Sequence, residues 1–491
     1  MTHKWFILLY IFLCLKIQPA FSNTPNPGNE YTFQYENVLG TSFLLKVTAI
    51  NEQTADIAEY AALAEIDRLN AILSSYEPES EINRWQRTKY QEVAISEELF
   101  EVLKLFEYWH LKTGGAINAS VGNAVKLWKK AEYSQAIPGK SELDVSVNAM
   151  NQLHWNLNSS TQKATHLSNE PLLLNSFVKG YIINKIKSRL ENIAGVSGVV
   201  INIGGDIFVS GDNYELVSIA NPIAHAENDL PNSKLIIHGR AVATSGNYRR
   251  GFEIGGIHYS HIIDPRTANP VSNIISATVI ASNPIDAGAL ATAFNILRIE
   301  ESIALAMSMD SVEFSITTLD GRVIESNGWK KFTSPELSDF SGFKPLQTKL
   351  SVEFQLASFE GRYRRPFVAV WIENKKKEPV RTLALWYNKP RWLPDLKRWY
   401  SKNQTTVQDP SSISLISSAT RTAGKYTLSW DGLDEKGQLL PSGIYTIYIE
   451  AAREHGTYQL IKQEFQLNGK SRHFDLEGGI EITSASIDLL K

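Results

Sequence analysis

The sequence predicts two domains of different class, an α+β domain followed by an all-β domain of the immunoglobulin-like sandwich type. The chain has 491 residues, which is too long for one ordinary domain. Apolar residues of helical and of strand period are intermixed up to residue 325, whereas only short alternating segments follow residue 347. The stretch between them, 326–346, is polar and rich in breakers, which predicts a linker.

The first residues have the pattern of a secretory signal peptide. A short basic start, His3-Lys4, precedes an apolar run over 5–15 and a small-residue pattern near Ser22. The apolar run is too short to span a bilayer. We therefore expect residues 1–22 to be removed and the mature chain to be exported, with the periplasm as its expected location.

Composition and charge narrow the class of protein. The formal net charge of -3 is nearly balanced, which argues against a nucleic-acid partner. Cys14 is the only cysteine, and it lies in the predicted signal peptide. The mature chain is therefore expected to lack disulfides, thiolate metal sites and a cysteine nucleophile. Any metal would be held by oxygen ligands or by histidine.

The first domain, predicted over 23–325, begins with a strand pair that is broken at Gly40. Apolar residues at helical spacing predict helices at 63–73, after Ser96 as a cap, and at 178–193. Continuous or alternating apolar runs predict strands at 198–203, 276–282 and 312–318. A further helix is predicted at 286–297, between the last two of these strands.

The second domain, predicted over 347–491, consists of short alternating segments separated by turns. Examples are 367–373, 426–430 and 444–452. This pattern is typical of a β-sandwich. Trp386 and Trp399, with basic neighbours, are either part of an aromatic binding face or of the core, and core packing is the favoured interpretation.

Two glycines after the buried strand at 198–203 mark a first candidate site. Gly204 and Gly205 let a ligand approach the backbone closely, and Asp206 offers a carboxylate to a ribose or a metal. A tight turn capped by Asp206 explains the same residues equally well. Lys179 is suited to an anionic ligand, although most such charges are simply solvated.

A second group of candidates lies between residues 243 and 270. Thr244, Ser245 and Gly246 offer hydroxyls and amides suited to phosphate, but an ordinary turn explains them better when they are taken alone. His261 is followed by Asp264, and a histidine held by a nearby carboxylate can act as a general base. A lone histidine is more often structural.

Taken together and in this order, the stretches resemble the exported FAD:protein FMN transferases of the bacterial envelope. The resemblance covers about 36–320, and its motifs as they stand here are Gly40-Thr41, Ser75-Tyr76, Ser80-Glu81-Ile82-Asn83, Lys179-Gly180-Tyr181, Asn202-Ile203-Gly204-Gly205-Asp206, Ala243-Thr244-Ser245-Gly246-Asn247-Tyr248-Arg249, His261-Ile262-Ile263-Asp264-Pro265 and Ala289-Leu290-Ala291-Thr292-Ala293. The second domain is similar to an envelope domain of no established function that is sometimes fused to this family.

The resemblance implies a reaction and a set of residues. The partners it implies are FAD and an exported or membrane protein, whose Thr or Ser hydroxyl attacks the flavin-side phosphorus, becomes linked to FMN and releases AMP. It implies His261 as the base, and it implies FAD contacts from Tyr76, Asn118, Lys179, Gly204, Gly205, Asp206, Thr244, Ser245 and Gly246. It also implies a Mg²⁺ ion bridging the pyrophosphate, for which Val178 and Thr292 stand at ligand positions of the family and Asp286 is the candidate substitute for the missing acid.

Three positions depart from the family pattern where carboxylates are expected. Asn118 and Asn184 stand in place of acids, and Gly288 stands four residues before Thr292. Asp286 is two residues further back, about 160° round a helix from position 288, and is interpreted as a helix-start acid rather than a rebuilt metal ligand. Because Mg²⁺ needs carboxylate charge, a magnesium site is doubtful.

Three hypotheses about function remain from the sequence. The chain is an exported FAD:protein FMN transferase, a FAD-binding relative that has lost its magnesium site, or a structural envelope protein with a vestigial pocket. The retained flavin motifs oppose the third and the missing acids oppose the first. The transferase is the adopted prediction, and the non-catalytic FAD-binding relative is the alternative.

Overall fold

The computed structural model describes residues 28–211, 213–222, 233–247, 250–334, 349–387, 390–403, 417–418, 421–454 and 456–490. The predicted signal peptide and residues 335–346 of the predicted linker lie outside these ranges. Within them, no helix combines the length and the apolar character needed to cross a membrane.

The first domain mixes helices and strands, as predicted. Its helices are α1 Glu52–Leu73, α2 Glu81–Arg87, α3 Glu97–Lys112, α4 Gly122–Ser134, α5 Lys140–Met150, α6 Val178–Glu191, α7 Pro284–Ile296 and α8 Ile299–Met307. Its strands are β1 Asn29–Val38, β2 Thr41–Ala49, β3 Glu92–Ala94, β4 Trp155–Asn158, β5 Lys163–His166, β6 Val196–Ile203, β7 Asp206–Gly211, β8 Glu215–Ile219, β9 Ser233–Ile237, β10 Ala241–Gly246, β11 Gly251–Ile254, β12 Ile257–Ser260, β13 Ile263–Asp264, β14 Asn269–Pro270, β15 Ile274–Ala281, β16 Glu313–Thr318 and β17 Val323–Glu325.

An eight-stranded antiparallel sheet organises this domain, in the order β1-β2-β6-β7-β10-β15-β16-β17. Alternate residues of its strands face opposite sides. Val199 and Ile201 join the larger core with α1, α3, α6 and α7, whereas Val200 faces a smaller core with β8 and β9. The sheet is therefore buried on both faces, which explains the continuous apolar run of β6.

The packing of the first domain extends to residue 334, beyond the predicted start of the linker. Trp329 is fully buried in the smaller core, and the Ser334 amide donates to the Lys234 carbonyl oxygen at 2.8 Å. The segment 326–334 therefore folds against the sheet.

Helices α6 and α7 cross in close contact at Gly180. A Cβ atom at this position would lie 2.2 Å from the carbonyl oxygen of Pro284 and 2.6 Å from its carbonyl carbon. Because these are backbone atoms, no rotamer change relieves the clash. Glycine thus sets the distance between the two helices that carry Lys179 and Thr292.

We expect Gly180→Ala to lower the free energy of unfolding by about 2–4 kcal/mol, since the helices must separate to admit the methyl group. Urea unfolding followed by circular dichroism measures it. Gly288→Ala is the matched control, because its Cβ meets its nearest atom at 3.5 Å. That variant should keep or slightly raise stability, through helix propensity. Equal stability of both variants would contradict the close crossing.

In its described residues the second domain is all-β, as predicted, apart from a 3₁₀ helix at Pro390–Asp395 and one short α-helix. Its elements are β18 Leu350–Leu356, β19 Pro366–Asn374, β20 Pro379–Trp386, α9 Lys397–Lys402, β21 Ser417–Ser418, β22 Gly424–Trp430, β23 Gly443–Arg453, β24 Tyr458–Leu467, β25 Arg472–Leu476 and β26 Ile482–Leu489. They form a four-stranded sheet, β22-β18-β26-β25, and a five-stranded sheet, β21-β20-β19-β23-β24, that share one apolar core.

The aromatic residues of this domain are mostly core residues. Trp386 is 2% exposed in the core shared by the two sheets, and Trp399 is fully buried against the outer face of the five-stranded sheet. Trp392 and Tyr400 pack beside Trp399 and are partly buried. The five-stranded sheet is thus covered on both faces, and its tryptophans serve packing.

Candidate active site

A glycine turn joins the central strands β6 and β7. Gly204 and Gly205 have φ values of +59° and +97°, in the left-handed region that favours glycine. The Asn202 side-chain oxygen accepts the Gly205 amide at 2.9 Å, and the Ser42 carbonyl oxygen accepts the Gly204 amide at 2.9 Å. The turn is exposed and rigidly held, so a ligand can lie against its backbone.

Side chains crowd this turn where glycine leaves room. A Cβ atom on Gly204 would lie 2.5 Å from Thr41 Oγ1 and 3.0 Å from Lys179 Nζ. Lys179 is the second residue of α6, whose N-terminus receives no side-chain cap from the residues that the structure describes. A helix N-terminus and a lysine together attract anions. This corner therefore has the electrostatic character of a phosphate site.

Asp206 follows the glycine turn and has a shifted pKa. Burial raises the pKa of its carboxyl group from 3.8 to about 6, and the positive charge of Lys179 opposes this shift. The folded chain therefore binds a proton at a pH at which the unfolded chain has already lost it. The ionised carboxylate destabilises the fold, and Lys179 offsets only part of that cost.

Asp206→Asn is expected to raise the free energy of unfolding at pH 7.5 by about 1–3 kcal/mol, because the buried charge is removed. The gain should shrink as the pH falls from about 6 to 3.8, since the wild-type carboxyl group takes up its proton over that range. Urea unfolding between pH 4 and 8 measures both chains. Parallel pH profiles would contradict the raised pKa.

Tyr76 presents an exposed aromatic ring next to the start of α6. Its ring is 74% exposed, and its hydroxyl accepts a hydrogen bond from Asn175 Nδ2 at 2.7 Å. Ser74 Oγ accepts the Tyr76 amide at 3.3 Å, and Ser75 Oγ accepts the Leu174 amide at 3.1 Å. These bonds fix the loop after α1 to the loop before α6, so the ring is a platform open to solvent.

Asn118 lies in the connection between α3 and α4 and is 8% exposed. Its Oδ1 accepts the amide and the hydroxyl of Ser120 at 2.8 and 2.6 Å, and its Nδ2 donates to the Met150 carbonyl oxygen at 3.1 Å. The side chain is engaged within the protein and organises this connection.

Thr244, Ser245 and Gly246 form the end of strand β10, not a turn. Thr244 is exposed, and its hydroxyl shares a hydrogen bond of 2.9 Å with that of Thr278 on β15. The Ser245 carbonyl oxygen accepts Asn295 Nδ2 of α7 at 3.0 Å. The strand is thereby tied to the helix that carries Thr292.

His261 follows the β11–β12 hairpin and is exposed. Its Nδ1 lies 3.1 Å from the Arg250 carbonyl oxygen. Because a carbonyl only accepts, Nδ1 carries the proton and the lone pair of the neutral ring is on Nε2. Desolvation by the surrounding chain, with the charges of Arg250 and His258, lowers the pKa of His261, although its hydrogen bond to Arg250 opposes this. A base at Nε2 is the result.

Asp264 is not the carboxylate that orients His261. It accepts Arg266 Nε and Nη2 in a bidentate pair, each bond at 2.9 Å. Arg266 also donates to the Ile296 carbonyl oxygen at 3.1 Å and so ties this segment to the end of α7. The backbone of Arg250 takes the orienting role that the sequence suggested for Asp264.

The face of α7 that meets the start of α6 carries Gly288 and Thr292. Thr292 Oγ1 donates to the Ser176 carbonyl oxygen at 3.1 Å, and a Cβ on Gly288 would lie 3.7 Å from that same oxygen. Asp286 is in the first turn of α7, three residues after Asn283, whose side chain caps the helix. Burial raises its pKa and the charge of Lys112 on α3 opposes this. Position 286 is about 160° round the helix from 288.

The donor set on this face does not fit a divalent cation. Within the described part of the chain, no group of three or more His, Cys, Asp or Glu side chains is placed to hold a metal ion. Thr292 and the backbone at Val178 are neutral, whereas Mg²⁺ favours carboxylate oxygens. The role of Val178, Asp286 and Thr292 as ligands stays a prediction, and no chemical step is assigned to a metal.

The contacts gather one group of the predicted residues at the start of α6. Lys179 Nζ lies at the glycine turn, Tyr76 is hydrogen-bonded to Asn175 just before the helix, and Thr292 bonds to Ser176 in the same segment. Asn118 and His261 take their hydrogen bonds elsewhere. Asn175, which positions Tyr76, was missed as a functional residue, and its place shortly before Lys179 was the available signal.

Comparisons with known proteins identify relatives of both domains. The model of the ApbE family matches residues 39–316, and the family described as predicted periplasmic protein (DUF2271) matches 348–484. A FAD:protein FMN transferase of Vibrio cholerae is 30% identical over 323 residues, covering 63% of this chain and 91% of that protein. One from Treponema pallidum is 30% identical over 256 residues, covering 48% and 70%.

Solved structures share the fold of the first domain. The ApbE protein of Thermotoga maritima superposes with a TM-score of 0.56 at 21% identity, covering 62% of this chain and all of that one. The flavin transferase ApbE of Vibrio cholerae gives a TM-score of 0.52 at 21% identity, with the same coverage. At this identity the likeness concerns the fold.

Proposed function

The chain belongs to the ApbE family, and we propose that it is an exported FAD:protein FMN transferase. The observation that carries the proposal is the corner at the start of α6. There Lys179 Nζ lies at the glycine turn, and Tyr76, which is hydrogen-bonded to Asn175 just before the helix, presents an exposed ring. A dinucleotide with a flat flavin ring and a pyrophosphate matches both features.

In the proposed complex, the flavin ring of FAD lies against Tyr76. The pyrophosphate lies at the N-terminus of α6, where Lys179 neutralises part of its charge and the glycine turn allows close approach. Asp206, Asn118 and the segment Thr244-Ser245-Gly246 are further proposed contacts. FAD is the substrate of the reaction.

The proposed reaction is a phosphoryl transfer to a protein hydroxyl. The acceptor oxygen bonds to the flavin-side phosphorus of FAD, and the bond from that phosphorus to the bridging oxygen breaks. His261 Nε2 takes the hydroxyl proton, and AMP leaves with the bridging oxygen. FMN remains linked to the acceptor by a phosphoester. Lys179 and the helix terminus stabilise the charge that develops on the phosphates.

We propose that the acceptor is an exported or membrane protein that presents a Thr or Ser, and that the chain works in the periplasm. The match to a predicted periplasmic family supports this location. We propose a signal peptide over 1–22, the first domain over 23–325 and the second over 347–491, joined by 326–346, whose first residues, 326–334, pack against the first domain. We also propose that the two sheets of the second domain form an immunoglobulin-like sandwich, since they share one core.

A non-catalytic FAD-binding protein is the second candidate function. The feature that favours it is the lack of a carboxylate cluster around Thr292 among the described residues. Such a protein binds FAD, releases no AMP and is indifferent to Mg²⁺. The retained Nε2 base of His261 favours the transferase over this alternative.

Intact-mass spectrometry tests the proposed transfer. The chain is incubated with FAD and with an acceptor domain that a related transferase modifies. We expect the acceptor to gain the mass of one FMN on a Thr or Ser, and an acceptor with alanine at that position to gain none. An unmodified acceptor, with FAD bound to the chain, would favour the non-catalytic alternative.

A further inference from the structure

The turn between β1 and β2 has an unusual backbone conformation. Asn37 and Leu39 have φ values of +57° and +53°, and the β1–β2 register shifts between Tyr35 and Val38. A leucine in the left-handed region costs about 1 kcal/mol or more, so such a turn needs support from its surroundings. Gly40, at +67°, completes the turn.

The support comes from the second domain, through residues 357–365, which we call the arginine arm. The Glu36 amide donates to the Tyr363 carbonyl oxygen at 2.8 Å. Asn37 Nδ2 donates to the Gly361 carbonyl oxygen at 3.1 Å. The arm therefore bonds to the two residues at which the register of β1 shifts.

Charged contacts strengthen this docking. Glu36 and Arg365 form an ion pair whose side chains are 5% and 9% exposed. Burial raises the pKa of Glu36, and the positive charge of Arg365 opposes this. Arg364 lies over the ring of Tyr35 at 4.5 Å. Removing Arg365 would leave a buried carboxylate without this partner, which is costly.

The arm itself is anchored inside the second domain. The Ala357 amide donates to the Glu481 carbonyl oxygen at 2.9 Å. Arg453 of β23 pairs with the fully buried Glu481 at 3.1 Å and lies over the ring of Phe359 at 3.9 Å. These contacts connect the arginine arm to the core strands of the second domain.

The other end of the turn touches the proposed FAD site. Thr41, the first residue of β2, packs against Gly204, and the carbonyl oxygen of the next residue, Ser42, accepts the Gly204 amide. Lys179 Nζ lies at the same glycine. The β1–β2 turn therefore links the arginine arm to the residues that contact the phosphates in the proposed complex.

We infer that the all-β domain positions the FAD site, because its arginine arm holds the β1–β2 turn in the conformation that places Thr41 against Gly204, the glycine at which Lys179 Nζ also lies. The inference rests on the proposed function only in taking FAD as the ligand. Arg365 is accordingly a positioning residue that acts on the site through Glu36 and Thr41.

The test compares Arg365→Gln with Arg398→Gln in the full mature chain. Arg398 is the matched control, because it pairs with the buried Glu373 at 2.7 Å inside the second domain and away from the arm. Titration of flavin fluorescence gives the Kd for FAD. We expect Arg365→Gln to raise that Kd at least about fivefold, Arg365→Lys to raise it less, and Arg398→Gln to leave it unchanged.

Hydrogen exchange without ligand separates this inference from the proposed function. In Arg365→Gln, the amides of 38–43 should exchange at least about tenfold faster than in the wild type, with no such change in Arg398→Gln. Asn37→Gly is a milder variant should Arg365→Gln fail to fold; it removes the hydrogen bond to Gly361 while glycine tolerates the left-handed backbone, and it should act in the same direction. Unchanged exchange in these arm variants overturns the inference. If the wild type does not bind FAD, the proposed function is overturned. The exchange result then still decides whether the arginine arm holds the β1–β2 turn.

Discussion

The His261→Ala variant is expected to release AMP from FAD about 10²–10⁴-fold more slowly than the wild type at saturating FAD and acceptor. The loss follows from removing the base at Nε2, which the hydrogen bond from Nδ1 to the Arg250 carbonyl oxygen leaves free to accept a proton. Chromatographic measurement of AMP under single-turnover conditions gives the rate. FAD affinity should change little, because the imidazole of His261 is proposed to act on the acceptor hydroxyl and not to bind FAD.

The control is His238→Ala, because His238 makes the same kind of bond, from Nδ1 to the Asn213 carbonyl oxygen at 3.0 Å, outside the proposed site. The pH profile adds a second check. Since the pKa of His261 is lowered, the pH at which the wild-type rate is half its plateau value should lie below the ordinary imidazole value of 6.5. Equal loss in both variants, or a half-maximal pH above that value, would contradict the role of His261.

The Lys179→Met variant is expected to bind FAD about 10–100-fold more weakly, because a charge-assisted contact to phosphate contributes about 1.5–3 kcal/mol. The variant also removes the charge that opposes the raised pKa of Asp206. Titration of flavin fluorescence at low and high salt measures the affinity, and the difference from the wild type should narrow at high salt.

Lys187→Met serves as the control on the same helix. Lys187 Nζ lies over the ring of Phe208 at 4.8 Å, and this lysine has no part in the glycine turn. The variant should bind FAD as the wild type does. If both substitutions weaken FAD equally, the effect is one of overall charge and the proposed anion site at Lys179 is contradicted.

The main elements of both domains were predictable from the sequence because apolar spacing reports burial. The strand pair broken at Gly40, the Ser96 cap and the buried strand β6 are confirmed. Helices α2, α4, α5 and α8 were not predicted. In α5, Met150 is the one buried residue, so its apolar pattern is weak. The end of β10 gave little signal because Thr244, Ser245 and Gly246 are small.

The sequence supplied the candidate site residues but not the contacts between them. Tyr76 and Asn175 are 99 residues apart in the chain and meet only through the tertiary fold. The arginine arm is separated from Glu36 by more than 300 residues, so no local pattern announces it. The group that orients His261 is the backbone carbonyl of Arg250. Every residue has a backbone carbonyl, so the sequence cannot indicate which one bonds to His261.

The most direct test of the account is AMP release from FAD by the mature chain, with an acceptor domain present, in Mg²⁺ and in EDTA. The account predicts AMP that depends on the acceptor and on His261, and that persists in EDTA, since the described donor set does not fit a divalent cation. No AMP under either condition, despite bound FAD, would contradict the transferase. AMP that vanishes in EDTA would contradict the description of the site around Thr292.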